Sequence, residues 1–322
     1  MKSFGDHLVM DIRPGNHYHE DAIRLNTGRC CFEYILKAKQ YKKIYIPYCV
    51  CSCIRETIRA CNAEYECYFL NELLEPVQEY KLFPGEAFFY VNWFGVTPAT
   101  TKLVEIYGSQ LIVDNTLAFY EKPLQGIDTF YTARKFFGVA DGAYLYTDTL
   151  LQEELEQDYS YEYMLFLLKR MDTSIEESRE ESGVSENRLI GQPIKKMSRL
   201  TEKILTGIDY EAIKTKRISN YLYLDAALKH ENMLKFDYPK GAVPMRYPFF
   251  SDKDQFREKL IQNKIYIRPY FRPPENEWCN QDQLEYKLVQ YSVLLPINQR
   301  YDVDDMVEMV KIIKSILNIS YE

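Results

Sequence analysis

The chain has 322 residues, of which 46% are hydrophobic and 27% charged, and its formal net charge is −7 at pH 7. This length can bury a large core, and we expect one large and one smaller domain. The negative charge argues against general nucleic-acid binding, which requires a basic surface. No apolar run approaches the ~18 residues of a membrane span, and no apolar signal segment opens the chain, so we expect a cytoplasmic protein.

The first 25 residues are predicted to form an entry arm, with a turn at residues 14–16 (PGN). Two histidines, His17 and His19, follow this turn. They could be metal ligands, but we favour a surface or interdomain pair.

A polar turn, Thr27-Gly28-Arg29, then opens a segment with helical periodicity. Free backbone N–H groups and the helix dipole make such a turn an anion site that suits a phosphate. A plain N-cap by Thr27 is the alternative interpretation.

Strands and helices alternate from here to residue 114, which is typical of a mainly parallel sheet in a three-layer α/β domain. The predicted strands are residues 43–47, 64–70, 86–92 and 111–113, and the predicted helices are residues 52–60 and 98–107.

All of the eight cysteines except Cys279 fall between Cys30 and Cys67. On a strand, Cys49, Cys51 and Cys53 would share one face. A zinc or iron–sulfur site is one interpretation, but the paired C-x-x-C signature is missing. We therefore expect no metal and favour buried reduced thiols, with disulfides as a further alternative.

The buried strand at residues 111–113 delivers a carboxylate, Asp114, at its C-terminal end, where ligands of open α/β sheets bind. Further along, Thr132, Arg134 and Lys135 precede Phe-Phe-Gly and an apolar strand at residues 143–146. A hydroxyl three residues before a lysine, between strands, suits covalent attachment of a phosphorylated cofactor.

The second half of the chain is predicted to be helical at first and then to form a small α+β domain. We expect a large domain over residues 1–207, including interface helices, and a small domain over residues 208–322. The predicted helices are residues 150–171, 210–230, 252–262, 281–288 and 303–317, and the predicted strands are residues 241–248, 264–267 and 291–295. The acidic run at residues 176–186 is interpreted as a solvated helix face or loop.

The chain resembles the fold-type I pyridoxal-phosphate (PLP) enzymes, and within them the DegT-type sugar aminotransferases, as a divergent member. Four features carry the resemblance: Asp114 at a strand end, the TARK sequence ending at Lys135, residues 197–201 (MSRLT), and residues 296–298 (PIN) before the last helix. It spans nearly the whole chain and implies an aspartate aminotransferase-like fold.

The resemblance also implies roles for individual residues. Lys135 would bind PLP covalently and shuttle a proton, and Asp114 would pair with the pyridine nitrogen. The turn of Thr27, Gly28 and Arg29 would bind the phosphate. Thr132 would add a hydroxyl, and Arg134 would contact either the phosphate or a substrate anion.

Two positions depart from the pattern of the family. Leu117 stands where a Gln or His usually approaches the 3′-oxygen of the cofactor, so we assign that duty to Asn92. Cys51 stands at the position of the aromatic residue that covers the cofactor ring, and either Tyr48 or Trp93 would replace it.

The resemblance predicts an aminotransferase that moves an amino group from glutamate to a nucleotide-linked keto sugar, in surface polysaccharide or related sugar biosynthesis. A catalytically degenerate paralogue acting as a binding or scaffold subunit is the alternative, as is another PLP reaction such as dehydration. We expect a homodimer with shared active sites, in which Lys195 or Lys196 of the second chain reaches the phosphate.

Overall fold

The first seven strands form one sheet in the computed structural model, which describes residues 5–6, 8–96, 99–235, 237–267, 269, 271–274 and 279–319. These strands are β1 (Ile23–Leu25), β2 (Lys43–Pro47), β3 (Glu64–Tyr68), β4 (Glu86–Val91), β5 (Leu111–Asp114), β6 (Asp128–Thr132) and β7 (Ala143–Tyr146). Their order across the sheet is β1-β7-β6-β5-β4-β2-β3. The pairings from β3 to β6 are parallel and those of β7 are antiparallel, which confirms the mainly parallel sheet.

Helices surround this sheet and fill the second half of the chain. They are α1 (Gly28–Lys39), α2 (Ser52–Ala60), α3 (Ala99–Tyr107), α4 (Leu165–Asp172), α5 (Arg179–Arg188), α6 (Arg199–Thr206), α7 (Tyr210–Leu228), α8 (Phe256–Gln262), α9 (Leu284–Tyr291) and α10 (Val303–Leu317). Pro98, the predicted first residue of the third helix, lies outside the described residues. Over the described part of the chain, no helix combines the length and apolarity that a membrane crossing requires.

Local sequence signals set several of these boundaries. The Thr27 hydroxyl accepts a hydrogen bond from the Cys30 N–H (3.1 Å) and caps α1. A capping box of Asp302 and Asp305 begins α10. Every residue of β5 is buried, as expected for a central parallel strand.

A second, two-stranded sheet lies in the C-terminal third, where β8 (Arg246–Phe250) pairs antiparallel with β9 (Ser292–Pro296). The helices α7 and α9 pack beside these strands, and α10 packs on α7 and α8. This arrangement agrees with the predicted small α+β domain, while its boundary at residue 208 stays a prediction.

The prediction of one long helix over residues 150–171 is wrong. Only a 3₁₀ turn at Tyr161–Tyr163 and α4 form there. The preceding residues run alongside the segment before α6: Gln157 forms a bridge with Lys196, and the Ser160 and Ser198 hydroxyls lie 2.6 Å apart. These tertiary hydrogen bonds outweigh the helical periodicity.

Two strand predictions in the C-terminal third also need correction. Residues 264–267 form no strand, because Lys264 adopts a left-handed conformation (φ +61°) and the Ile265 N–H bonds back to the Leu260 carbonyl. The strand predicted for residues 241–248 begins only at Arg246, because a turn at Gly241 (φ +87°) precedes it.

The cysteines and histidines also differ from expectation. All eight cysteines are free thiols, but only Cys30, Cys31 and Cys49 are buried. The three alternating cysteines share no strand face, because the chain turns into α2 after Cys51. His19 is buried, which contradicts the surface alternative of the expected surface or interdomain pair, and its Nε2 lies 2.8 Å from the Phe119 carbonyl oxygen.

Candidate functional site

The candidate site lies at the carboxyl edge of the central strands, where β5 ends at Asp114 and β4 is followed by Asn92 and Trp93. The Asn92 N–H donates to the Asp114 carbonyl (3.0 Å), and the Asn92 side-chain amide donates to the Asn115 side chain (3.0 Å). The two strand ends are therefore held together at the edge where α/β proteins bind ligands.

The carboxylate of Asp114 is buried at this edge. One oxygen accepts a hydrogen bond from the Thr116 N–H at 2.8 Å. Burial raises the pKa of Asp114, while the positive charge of Lys135 and the hydrogen bonds from Thr116 oppose that shift. A buried carboxylate is stabilised by a cationic partner, and Lys135 supplies positive charge nearby.

The amine of Lys135 donates a hydrogen bond to the Thr116 hydroxyl at 2.9 Å. Thr116 therefore contacts both the acid and the amine that the sequence singled out, through its N–H and its hydroxyl. The sequence analysis missed this residue. Its signal is the D-x-T spacing after a strand, since aspartate commonly accepts a hydrogen bond from the N–H two residues onward.

The N-terminus of α1 lies against the same threonine. A Cβ at Gly28 would come within 3.2 Å of the Thr116 methyl carbon, so only glycine leaves this approach open without displacement. The first backbone N–H groups of a helix have no intrahelical acceptors. The helix dipole also favours an anion here, next to Lys135.

The other residues assigned to the phosphate have partners of their own. The Thr27 hydroxyl caps α1. The Arg29 guanidinium donates to the Leu189 carbonyl at 3.1 Å. The Thr132 hydroxyl is buried and lies 3.4 Å from the Gly142 carbonyl oxygen. Gly28 is linked to Lys135 through their shared neighbour, Thr116.

The turn that carries Lys135 is anchored by a buried aspartate that the sequence analysis did not single out. Asp141 accepts hydrogen bonds from the Ser198 N–H (2.7 Å), the Ser198 hydroxyl (2.8 Å) and the Thr201 hydroxyl. At its end, Gly142 adopts φ +109°, and its N–H donates to the Asn26 carbonyl at 2.6 Å. The Lys135 turn is thus tied to the start of α6 and to the residues before α1.

The two aromatic candidates for covering the cofactor ring pack against other rings. Tyr48 stacks on Phe69 with the ring centroids 5.2 Å apart, and Trp93 packs on Phe271 at 4.9 Å. Trp93 is 3% exposed, and its indole N–H has no hydrogen-bond acceptor among the described residues. Cys51, at the N-cap of α2, lies close enough to Lys135 for the lysine charge to lower its pKa.

A cleft of about 810 Å³ opens from Lys135 toward the small sheet. Arg134 lines it beside Lys135, and further arginines come from elements distant in the sequence: Arg170, Arg217, Arg246 and Arg300. The Arg217 guanidinium is buried and donates to the Met245 (3.0 Å) and Phe136 (3.2 Å) carbonyls.

No family model matches the chain, and no curated protein matches it. Solved structures do resemble it. A DegT DnrJ EryC1 StrS aminotransferase from Brucella abortus superposes with a TM-score of 0.61 at 13% identity, over 91% of this chain and 85% of that one.

Two further structures have the same architecture. The sugar aminotransferase CalS13 from Micromonospora echinospora superposes with a TM-score of 0.62 at 12% identity, over 91% of this chain and 87% of that one. NtdA from Bacillus subtilis, solved with bound cofactor PMP, gives 0.63 at 12% identity, over 92% and 73%. The chain therefore has the fold of the DegT-type aminotransferases, which confirms the predicted fold class.

Proposed function

We propose that the protein is a PLP-dependent aminotransferase of the DegT type. The observation that carries this proposal is the double contact of Thr116, which accepts a hydrogen bond from the Lys135 amine and donates one to the buried Asp114 carboxylate. A non-catalytic protein with this fold would not require a carboxylate and an amine close together at the ligand-binding edge of its sheet.

The residues at this edge fit PLP. The N-terminus of α1, approached closely only because residue 28 is glycine, would hold the phosphate, assisted by Thr116, Arg29, Thr27 and Thr132. Asp114 is buried with the positive charge of Lys135 nearby, and its carboxylate would pair with a protonated pyridine nitrogen.

PLP, when bound, supplies an electron sink for negative charge at the substrate carbon. Lys135 would provide the amine for covalent attachment and would move a proton at the reacting carbon. Asn92 would donate to the 3′-oxygen, and Tyr48 or Trp93 would cover the ring.

The substrates proposed are glutamate as the amino donor and a nucleotide-linked keto sugar as the acceptor, in surface polysaccharide or related sugar biosynthesis. CalS13 is a sugar aminotransferase, and its structural similarity supports the sugar class. The arginine-lined cleft beside Lys135 supports substrates that carry carboxylate or phosphate groups, with Arg134 as the nearest contact.

We also propose a cytoplasmic homodimer in which Lys195 or Lys196 of the second chain approaches the phosphate. Within one chain, the Lys195 amine lies 3.9 Å from Asp158, and Lys196 forms bridges with Leu25 and Gln157. A degenerate binding subunit or a different PLP reaction would keep the same fold, so the chemistry has to be tested directly.

The test is cofactor attachment. Purified protein mixed with PLP is expected to show a visible absorption band that free PLP lacks. Reduction with borohydride followed by peptide mapping should place the pyridoxyl group on Lys135. Lys135→Ala should lose the band, whereas Lys37→Ala, which removes an exposed lysine paired with Glu33 on α1, should keep it. Attachment at another lysine, or none at saturating PLP, would overturn the proposal.

A further inference from the structure

Two thiols lie side by side at the start of α2. The Cys53 thiol donates a hydrogen bond to the Cys51 sulfur, and the two sulfur atoms are 3.0 Å apart. Cys51 is the N-cap residue and is exposed, while Cys53 lies in the first turn and is partly buried. The pair therefore joins an exposed cysteine to a partly buried one.

The hydrogen bond between the two thiols and the surrounding charges shift their pKa values in opposite directions. The hydrogen bond from Cys53 lowers the pKa of Cys51 to about 6, and the positive charges of Lys135 and Arg272 act in the same direction. The same hydrogen bond and burial raise the pKa of Cys53 well above its ordinary value. These opposite shifts favour the thiolate at Cys51 and the thiol at Cys53, and the thiolate is the nucleophilic form.

We propose that Cys51 and Cys53 form a reversible dithiol–disulfide site that reacts with low-molecular-weight disulfides such as oxidised glutathione. Cys51 attacks one sulfur of the glutathione disulfide, which releases one glutathione thiolate and leaves a mixed disulfide on Cys51. Cys53 then loses its proton and attacks the Cys51 sulfur, releasing the second glutathione. Two protein thiols are oxidised and one glutathione disulfide is reduced to two thiols.

The geometry favours this pair over the other cysteines. A disulfide bond is ~2.05 Å long, so the two sulfurs need to approach by only ~1 Å. Cys49, two residues before the pair, is buried and directs its thiol at the Glu285 carbonyl (3.8 Å). Burial also raises the pKa of Cys61, which makes it a slower nucleophile.

Closure of the disulfide would change the surroundings of Lys135. It replaces the hydrogen bond between the Cys53 thiol and the Cys51 sulfur with a covalent bond, and it fixes the N-cap of α2 to its first turn. The proposed site thus lies beside the lysine without being part of the cofactor attachment itself.

The experiment is oxidation of the full-length protein by oxidised glutathione, followed by denaturation, alkylation of free thiols and trypsin digestion. Cleavage after Lys43 and Arg55 releases residues 44–55, which contain Cys49, Cys51 and Cys53. Wild type is expected to give this peptide with a single alkyl label, on Cys49, and with a disulfide that dithiothreitol opens. Without oxidant, all three cysteines should be labelled.

Single variants assign the two roles. Cys53→Ser should retain glutathione on Cys51 as a stable mixed disulfide, because the second attack is missing. Cys51→Ser should leave Cys53 free, and Cys61→Ser should behave as wild type. The proposal is overturned if the oxidised wild-type peptide keeps three labels, if Cys49 takes part in the disulfide, or if glutathione stays bound to wild type. Each reading comes from wild-type peptide masses and is independent of PLP binding.

Discussion

At the scale of single residues, the candidate site depends on one threonine that contacts three of its parts. Thr116 orients the Lys135 amine through its hydroxyl and holds the Asp114 carboxylate through its backbone N–H. Its methyl group meanwhile lies against Gly28 at the start of α1. Small structural changes at Asp114 or Gly28 are therefore expected to shift the position of the Lys135 amine.

The first prediction concerns Asp114→Asn. The amide keeps the shape and the acceptor for the Thr116 N–H but loses the charge expected to pair with the pyridine nitrogen. We expect the activation barrier to rise by about 3 kcal/mol, which lowers turnover on the order of a hundredfold, while the fold is retained.

Asp128→Asn is the matched control. Asp128 is a buried aspartate at the N-terminal end of β6, whereas the candidate site lies at the carboxyl ends of the strands, and it pairs with Lys39 at 3.1 Å. That change should lower stability and leave turnover per folded molecule unchanged. Steady-state kinetics with urea denaturation measure both quantities. Near-normal turnover of folded Asp114→Asn would show that the aspartate is only structural.

The second prediction concerns Gly28→Ala. The new Cβ would lie 3.2 Å from the Thr116 methyl carbon, so Thr116 must shift by tenths of an ångström. We expect PLP affinity to fall about tenfold, ~1.4 kcal/mol, while stability changes little because alanine favours helix. Gly183→Ala in α5, whose Cβ would meet nothing within 4 Å, should leave affinity unchanged. Titration of PLP absorbance measures both variants, and equal affinities would contradict the proposed phosphate site.

At the scale of elements, local patterns predicted much of the structure. The apolar run before Asp114, the Thr27 cap and the apolar periodicity of α10 gave the strand and the helices observed. The failures at residues 150–171 and 264–267 have different causes. Partners distant in the sequence redirect the first segment, and a left-handed residue, Lys264, redirects the second. The contacts of Thr116 and of the Cys51–Cys53 pair escaped prediction because they depend on turns that bring these side chains to their partners.

The third prediction concerns acid sensitivity of the packing between the entry arm and the sheet. Burial lowers the pKa of His19 to about 4, from an ordinary 6.5. Between these values the unfolded chain binds a proton and the folded chain does not, so the free energy of unfolding falls as pH decreases through this window. From pH 7 to pH 5 the expected loss is about 2 kcal/mol from this residue.

Urea denaturation at several pH values measures that slope. His19→Gln should lower this slope without abolishing it, because burial also lowers the pKa of His17 to about 4. The glutamine amide can still donate to the Phe119 carbonyl without titrating. An unchanged slope in His19→Gln would contradict the assignment.

At the scale of the whole molecule, an apolar surface remains on the segment between the two sheets. Leu165, Leu168 and Met171 of α4 are 55%, 47% and 84% exposed, and Tyr159 and Tyr161 just before them are 64% and 67% exposed. Their spacing of three residues places the α4 members along one face. Contiguous exposed apolar patches commonly mark interfaces.

The fourth prediction is a homodimer that uses this face. Sedimentation at micromolar concentration should show twice the 38.2 kDa chain mass. Leu165→Glu with Leu168→Glu should give monomers, because burying two charges in an apolar interface is costly. Leu222→Glu, at a position 45% exposed on α7, should stay dimeric. A wild-type monomer that still transaminates would refute the prediction.

The pairing of β1 with β7 has a consequence for how the chain is made. Ile23 pairs with Leu145, so the first strand of the sheet meets its neighbour only after the last one has been synthesised. A ribosome releases residues in order, and contacts of such high sequence separation form late. In a nascent chain that stalls before Ala143, β1 lacks its pairing partner β7 and β6 has an unpaired edge. Such an unpaired edge exposes the chain to aggregation and to chaperone binding.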